Sequence, residues 1–333
     1  MELPPEASAQ GLRFTYQQAR ASGITRHRLE TLVRRGLLQV VAFGVYAPAT
    51  DGSIDPVLAH ANLVREAQLS ARKGGWYAAR RSSALLMSIP LIGRSPTVAQ
   101  LVHDGQQQGA HGQDRHARIS PLPASDTWEY DGIDMCTPAR TVIDIARAES
   151  FRNGVVVADG ALRRGVDPSD LDAVLRRMVR WPGIVAARRV VRFADGRAET
   201  PLESLTRVAA WVHAGLVPEP QVEVYVRGEL IARLDFLVRE CLLAIESDGA
   251  IKFDGPLVLP DLLARQESIR EAGIDVLRTD WDEVFRRPQE FAARLLARIA
   301  ERGPRVLPRG VELRSTVVRP QTPLLGDFEL DAA

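Results

Sequence analysis

The chain has 333 residues, 45% of them hydrophobic and 26% charged, and 43 Lys and Arg against 42 Asp and Glu leave a formal net charge of +1. That length supports two or three domains with their own cores, while near-neutrality excludes a global basic field, so any affinity for nucleic acid rests on local charge. The two cysteines, Cys136 and Cys241, stand in apolar contexts without CxxC or Cys/His spacing, which argues against a disulfide framework or a zinc site and predicts buried thiols.

No apolar run approaches the roughly 18 residues of a membrane span, and residues 1–11 are acidic and proline-containing, so a cytoplasmic protein without a membrane partner is expected. Residues 14–23 read as a short helix with Thr15 at its N-cap and Gly23 as its stop. Thr25 caps a second helix running to Arg35 and ended by Gly36. Its apolar stripe, Leu29, Leu32 and Val33, leaves Arg26, His27, Arg28, Arg34 and Arg35 for other faces. Residues 37–47, with Gly44 in the middle, read as strand, turn, strand. Six arginines against three glutamates give the first fifty residues a local excess of three positive charges, suited to phosphate contacts.

Gly23-Ile-Thr-Arg26, Leu29, Leu32-Val-Arg-Arg-Gly36 and Gly44-Val-Tyr46 together resemble the winged helix-turn-helix that opens AbiEi-type antitoxins. The resemblance implies that the second helix enters the major groove, with Arg26, His27 and Arg28 reaching base edges or phosphates and DNA as the partner. It also implies a nucleotidyltransferase-like toxin as a possible second partner.

Residues 51–56 form a linker with turn chemistry, followed by helices at 57–71 and 78–87. Short strands are expected at 97–102, 117–119 and 133–136, separated by a Gln/Gly/His-rich loop over 104–115. His111 and His116 lack acidic or cysteine partners at ligand spacing, so they read as solvated. Thr137-Pro138 opens a helix on which Arg140 and Asp144, four apart, form a surface ion pair. This segment is similar to one in the middle domain of AbiEi-like proteins. Amphipathic helices follow at 153–164, 169–181 and 183–193. The last is basic through Arg188, Arg189 and Arg192, and reads as a joining element or a contact to DNA backbone.

The last third carries Glu203, Arg233-Leu-Asp235, Glu246-Ser-Asp248-Gly249 and Lys252. Runs at 222–226 and 230–237 flank Arg227-Gly228-Glu229 and read as a hairpin, with 241–246 as a third, central strand. Alternation sends the Asp235 carboxylate away from Leu234 and Phe236. Adjacent strands lie about 5 Å apart, close enough for Asp235 to meet Glu246. Glu203 lies in a helical run over 202–214. Hard divalent ions take such oxygen ligands, polarise a phosphate and activate water, and an ammonium such as Lys252 can orient that water or neutralise developing charge.

Glu203, Asp235, Glu246-x-Asp248-Gly249 and Lys252 resemble the PD-(D/E)XK nuclease superfamily, in particular its small Vsr-like endonuclease domains. Asp261-Leu-Leu-Ala-Arg265 and Gly273-Ile-Asp-Val-Leu-Arg278 match two further elements of that pattern. The resemblance implies Mg²⁺ or Mn²⁺ as cofactor, held by Asp235, Glu246 and Glu203. Asp248 would complete the shell and Lys252 would stand near the scissile phosphate, with Arg265 and Arg278 steadying phosphate or pairing with the acids. The expected fold is α+β and multidomain: a winged helix-turn-helix at 1–50, a small mixed α/β middle domain at 51–150, a helical connector at 151–197, a Vsr-like domain at 198–303 and a Pro-rich surface tail at 304–333. Two functions are expected from this plan. One is a DNA-binding, metal-dependent endonuclease; the other is an antitoxin or transcriptional autoregulator that keeps the nuclease fold as an inactive scaffold.

Overall fold

The chain begins with a helix pair and a hairpin. The computed structural model describes residues 2–49, 55–71, 75–105, 111–112, 115–247 and 258–316. Strand β1 (Phe14–Thr15) leads into α1 (Tyr16–Ala21), which opens on a capping box: Gln18 N–H donates to Thr15 Oγ1, and Gln18 Oε1 accepts from Thr15 N–H. Helix α2 (Arg26–Arg34) starts at the Thr25 cap, where Arg28 N–H donates to Thr25 Oγ1. Strands β2 (Leu38–Ala42) and β3 (Val45–Pro48) form the hairpin, and β1 joins it in the order β1-β3-β2. Phe14, Leu29, Leu32 and Leu38 fill the core beneath, at about 1.5–3 kcal/mol for each large side chain buried.

Helix α3 (Pro56–Leu69) follows, then β4 (Trp76–Ala78), α4 (Arg80–Leu86), β5 (Ala99–His103), β6 (His111–Gly112), β7 (Arg115–Ile119), β8 (Thr127–Tyr130), β9 (Ile133–Cys136) and α5 (Pro138–Ala146). The strands form one mixed sheet in the order β6-β7-β5-β4-β9-β8. The stretch expected as a loop over 104–115 therefore contains strand: His111–Gly112 pairs back on β7. Ser82, Ser83 and Thr141 are fully buried and satisfy one another and their neighbours. Thr141 donates to Ser83 Oγ, Ser83 donates to the Cys136 carbonyl, and Ser82 Oγ lies 2.8 Å from His60 Nε2. Cys136 and Cys241 are both buried free thiols.

Helices α6 (Phe151–Arg163), α7 (Pro168–Arg177), α8 (Ile184–Phe193) and α9 (Pro201–Ala214) precede a five-stranded sheet. Its strands are β10 (Glu219–Val226), β11 (Glu229–Val238), β12 (Leu243–Ser247), β13 (Asp275–Thr279) and β14 (Val311–Ser315), in the order β13-β12-β11-β10-β14. Between β12 and β13 the described chain includes α10 (Val258–Glu271), and α11 (Trp281–Arg286) and α12 (Pro288–Arg302) lie between β13 and β14. Arg227 and Gly228 turn the β10–β11 hairpin with φ of 52° and 88°, the doubly positive geometry that matches strand twist. In this sheet the ladders are antiparallel except β12–β13, which is parallel.

The described residues fall into two compact units, one within Met1–Glu149 and Val166–Arg188, the other within Ser150–Gly165 and Arg189–Gln321. Helix α6 thus packs with the second unit although α7 belongs to the first, so the segment read as a single helical connector is divided. Residues 311–315, read as part of a surface tail, add a strand to β10 instead. Arg140 is also relocated: its side chain is 1% exposed, and besides Asp144 it donates to Asp126 Oδ2 at 3.0 Å, so the pair is buried rather than superficial.

Candidate functional site

The β11–β12 ladder pairs Phe236 with Ile245. Its next step sets Asp235 beside Glu246, and cross-strand partners in an antiparallel pair point to the same face. The ladder ends there with a side chain in place of a backbone group: Ser247 N–H donates to Asp235 Oδ2 at 2.8 Å. Glu246 is 6% exposed, and Arg265 from α10 reaches it at 3.4 Å while donating to the Arg233 carbonyl at 2.8 Å. On the other side β13 brings Arg278 into register with Glu246, and its side chain is exposed.

Glu203 approaches from α9. It sits in the first turn, where its N–H donates to the Thr200 cap and its carboxyl receives Thr200 Oγ1 at 3.0 Å on Oε1. Glu199 N–H and Gln221 Nε2 both donate to Oε2 at 2.9 Å. Burial pushes this carboxyl up to about 7, the charge of nearby Asp235 adds to the rise, and the Glu199, Thr200 and Gln221 hydrogen bonds oppose it. Thr206, one turn along α9, shares a hydrogen bond with Ser247 at 3.0 Å, which ties the helix to β12.

Gln221 is the residue that sequence reasoning misses. It lies opposite Asp235 between the Pro220–Phe236 and Val222–Leu234 pairs, with φ of 53°, a conformation rare for any residue with a side chain. Its carbonyl is held from the C-terminal side by Thr316, through N–H at 3.1 Å and Oγ1 at 2.7 Å. Its Oε1 is buried and has no hydrogen-bond partner among the described residues. No periodicity or motif marks such a position; the contacts that fix it come from three separate elements.

Asp235 and Glu246, the two neighbouring carboxylates, offer oxygen donors of the kind hard cations take. Mg²⁺ uses one or two carboxylates and keeps water, so Asp235 and Glu246 fit that ion. Glu203, by contrast, has both oxygens engaged by protein donors. Among the described residues no group of three or more His, Cys, Asp or Glu forms a metal cage. Asp248 and Lys252 lie outside the described residues.

In the first unit, Arg26, His27, Arg28, Arg34 and Arg35 are all exposed. Arg26 pairs with Glu30 at 3.0 Å and Arg34 donates to Thr31 Oγ1 at 3.3 Å. The hairpin tip carries Phe43 at 82% exposure. No helix among the described residues is long and apolar enough to cross a membrane.

No protein-family model matches the chain. Two curated relatives from Mycobacterium tuberculosis, the uncharacterized proteins Rv2248 (strain ATCC 25618 / H37Rv) and MT2308 (strain CDC 1551 / Oshkosh), are each 29% identical over 286 residues, 82% of this chain and 96% of theirs. Among solved structures, the Rv2827c protein of Mycobacterium tuberculosis is similar over 57% of this chain and 78% of its own, at 18% identity and a TM-score of 0.39. The chain is therefore similar over most of its length to mycobacterial proteins that are named only as uncharacterized.

Proposed function

We propose that the chain binds duplex DNA through a winged helix-turn-helix at its N-terminus and hydrolyses phosphodiester bonds at Asp235 and Glu246 with Mg²⁺ or Mn²⁺. The observation that carries the reading is the cross-strand placement of the two carboxylates, one of them buried. A divalent ion held there supplies a Lewis acid for the phosphate and a more acidic water as nucleophile. Asp235 and Glu246 would hold it, Ser247 N–H fixes the angle of the Asp235 carboxylate, and Arg265 or Arg278 would offer a cation to the phosphate. Asp248 and Lys252 would complete the set in the role the PD-(D/E)XK resemblance implies.

Cleavage of supercoiled plasmid in Mn²⁺ tests it. The expected result is cutting by wild type and a loss of at least about 100-fold in Asp235→Ala and in Glu246→Ala, since even partners behind metal ligands contribute 10- to 100-fold. Absence of cutting by folded wild type supports a second reading, a DNA-binding autoregulator or antitoxin with an inactive scaffold, for which the Arg265–Glu246 ion pair and the saturated Glu203 speak.

The DNA-binding half has its own test. The exposed pair Arg26–Glu30 contributes only about 0–1 kcal/mol, so Arg26 can exchange Glu30 for phosphate at small cost. Replacing Arg26 and Arg28 by Ala is expected to weaken duplex binding and to lower the slope of log affinity against log salt by about 2. An unchanged slope across a salt series removes these two residues from the interface.

A further inference from the structure

A cavity of about 380 Å³ opens in the first unit, and no residue of helix α2 lines it. Arg80, Arg118, Arg140 and Arg147 line it against one carboxylate, Asp144, so its wall carries four positive charges and one negative, a net of +3. Trp181 and Pro182 complete it beside Gly183, where a Cβ would meet the Arg147 carbonyl oxygen at 2.1 Å, so only glycine allows that close approach.

Two of the four arginines are spent on structure. Arg140 donates to Asp144 at 2.7 Å, Asp126 at 3.0 Å, the Pro121 carbonyl at 3.1 Å and Ser120 at 3.3 Å. Arg147 donates to Asp144 at 2.9 Å and to the Pro182 carbonyl at 2.9 Å. Both guanidinium groups lie over the Trp181 ring, 5.3 Å and 4.9 Å from its centroid. Asp144 is therefore paired with both of these arginines.

Arg80 and Arg118 differ. Among the described residues neither side chain makes a hydrogen bond or an ion pair, yet Arg80 is half-buried. Burial lowers its proton affinity and the Arg118 charge lowers it further, while the Asp144 and Glu149 charges offset part of that effect. Arg80 is also held at a φ of 53°, in the left-handed region that side chains avoid. Two cations without a side-chain partner at one concave wall repel each other, and an anion in the cavity would offset that repulsion.

We propose that this cavity binds the phosphoryl group of a small phosphorylated ligand, with Arg80 and Arg118 as its two cationic contacts and the Trp181-stacked Arg147 as the fixed wall beside them. The two guanidinium groups not spent on structure match a doubly charged phosphate better than a monocarboxylate, and the planar guanidinium fork suits phosphate oxygens. The volume falls within the roughly 300–1,000 Å³ usual for small-molecule sites and so has room for more than the phosphate itself.

Calorimetric titration of the full chain with pyrophosphate, inorganic phosphate and a nucleoside 5′-monophosphate at constant ionic strength tests the proposal. Wild type is expected to bind at least one of these probes saturably. Arg118→Gln, at an exposed position, and Arg80→Gly, at a φ glycine tolerates, are expected to keep the fold and to bind at least about 10-fold more weakly. Arg309→Gln, at an exposed position outside the cavity and the basic helix, is expected to bind like wild type. No saturable binding of any probe, or equal affinity in Arg118→Gln and Arg80→Gly, overturns the proposal. So does competition in which a short DNA duplex displaces bound pyrophosphate, because the cavity would then serve nucleic-acid phosphates.

Discussion

Asp159→Ala is expected to lower the unfolding free energy by about 3–5 kcal/mol, the size of effect seen when one partner is removed from a buried ion pair. Asp159 on α6 is 1% exposed and accepts Asp195 N–H at 2.7 Å. Arg207 on α9 is 3% exposed at its side chain and donates to both Asp159 oxygens at 3.3 Å and 3.2 Å, and to the Phe193 carbonyl at 2.9 Å. The same guanidinium lies 4.7 Å from the Phe193 ring centroid, inside a cluster in which Phe151, Phe193 and Trp211 meet edge and face. Removing the carboxylate leaves a buried cation with only Asp195, 3.5 Å away, to balance it. Urea unfolding followed by circular dichroism measures the difference. The double variant Asp159→Leu with Arg207→Met is expected to lose less than Asp159→Ala, because no charge remains buried. A loss below about 1 kcal/mol in Asp159→Ala would show that the pair does not anchor α6 to α9.

The second large effect is a pH dependence centred on Glu203. Its carboxyl is pushed up from 4.5 to about 7 by burial, with Asp235 adding to the rise, so the folded state binds this proton more tightly than the unfolded chain does. The stabilisation is fully present below about pH 4.5, shrinks as pH rises, and is gone above about 7. The displacement corresponds to roughly 3 kcal/mol across that window, at about 1.4 kcal/mol per pH unit. Glu203→Gln keeps the shape and can still meet Thr200, Glu199 and Gln221, but it does not ionise. Its stability is expected to exceed that of wild type at pH 8 and to vary less between pH 5 and 8. Asp159, pushed up to about 6 by burial, contributes a slope of the same sign in both proteins, so the difference between them isolates Glu203. Parallel stability curves for the two proteins would refute the assignment.

Much of this architecture was legible because its determinants are local. Thr15 and Thr25 announce helix starts, Gly23, Gly36 and Gly44 adopt the positive φ their positions demand, and Arg227-Gly228 sets the hairpin that carries Asp235. The neighbourhood of Asp235 and Glu246 follows from a period of two once the strands are recognised. What escaped depends on distant parts of the chain. The spacing of Arg140 and Asp144 predicts their pairing but says nothing of Asp126 and Trp181, which bury it. Arg80 and Arg118 carry no motif; the sheet assembles their cavity. Nothing in the sequence around Gln221 marks its reversed φ, which faces Asp235 and is held by Thr316.

The strand at Val311–Ser315 has a consequence for how the second unit behaves when cut. It pairs with β10 from Val222–Ser315 to Val226–Val311, covering backbone groups that would otherwise face solvent. A fragment ending at Gly303 would carry β10 as a bare edge, with Val222 and Val224 beneath it. Such an edge is a template on which a second chain can add its own strand. Residues 311–315 therefore cover an edge that would be open to strand addition without them, and through Thr316 the same segment holds the Gln221 carbonyl.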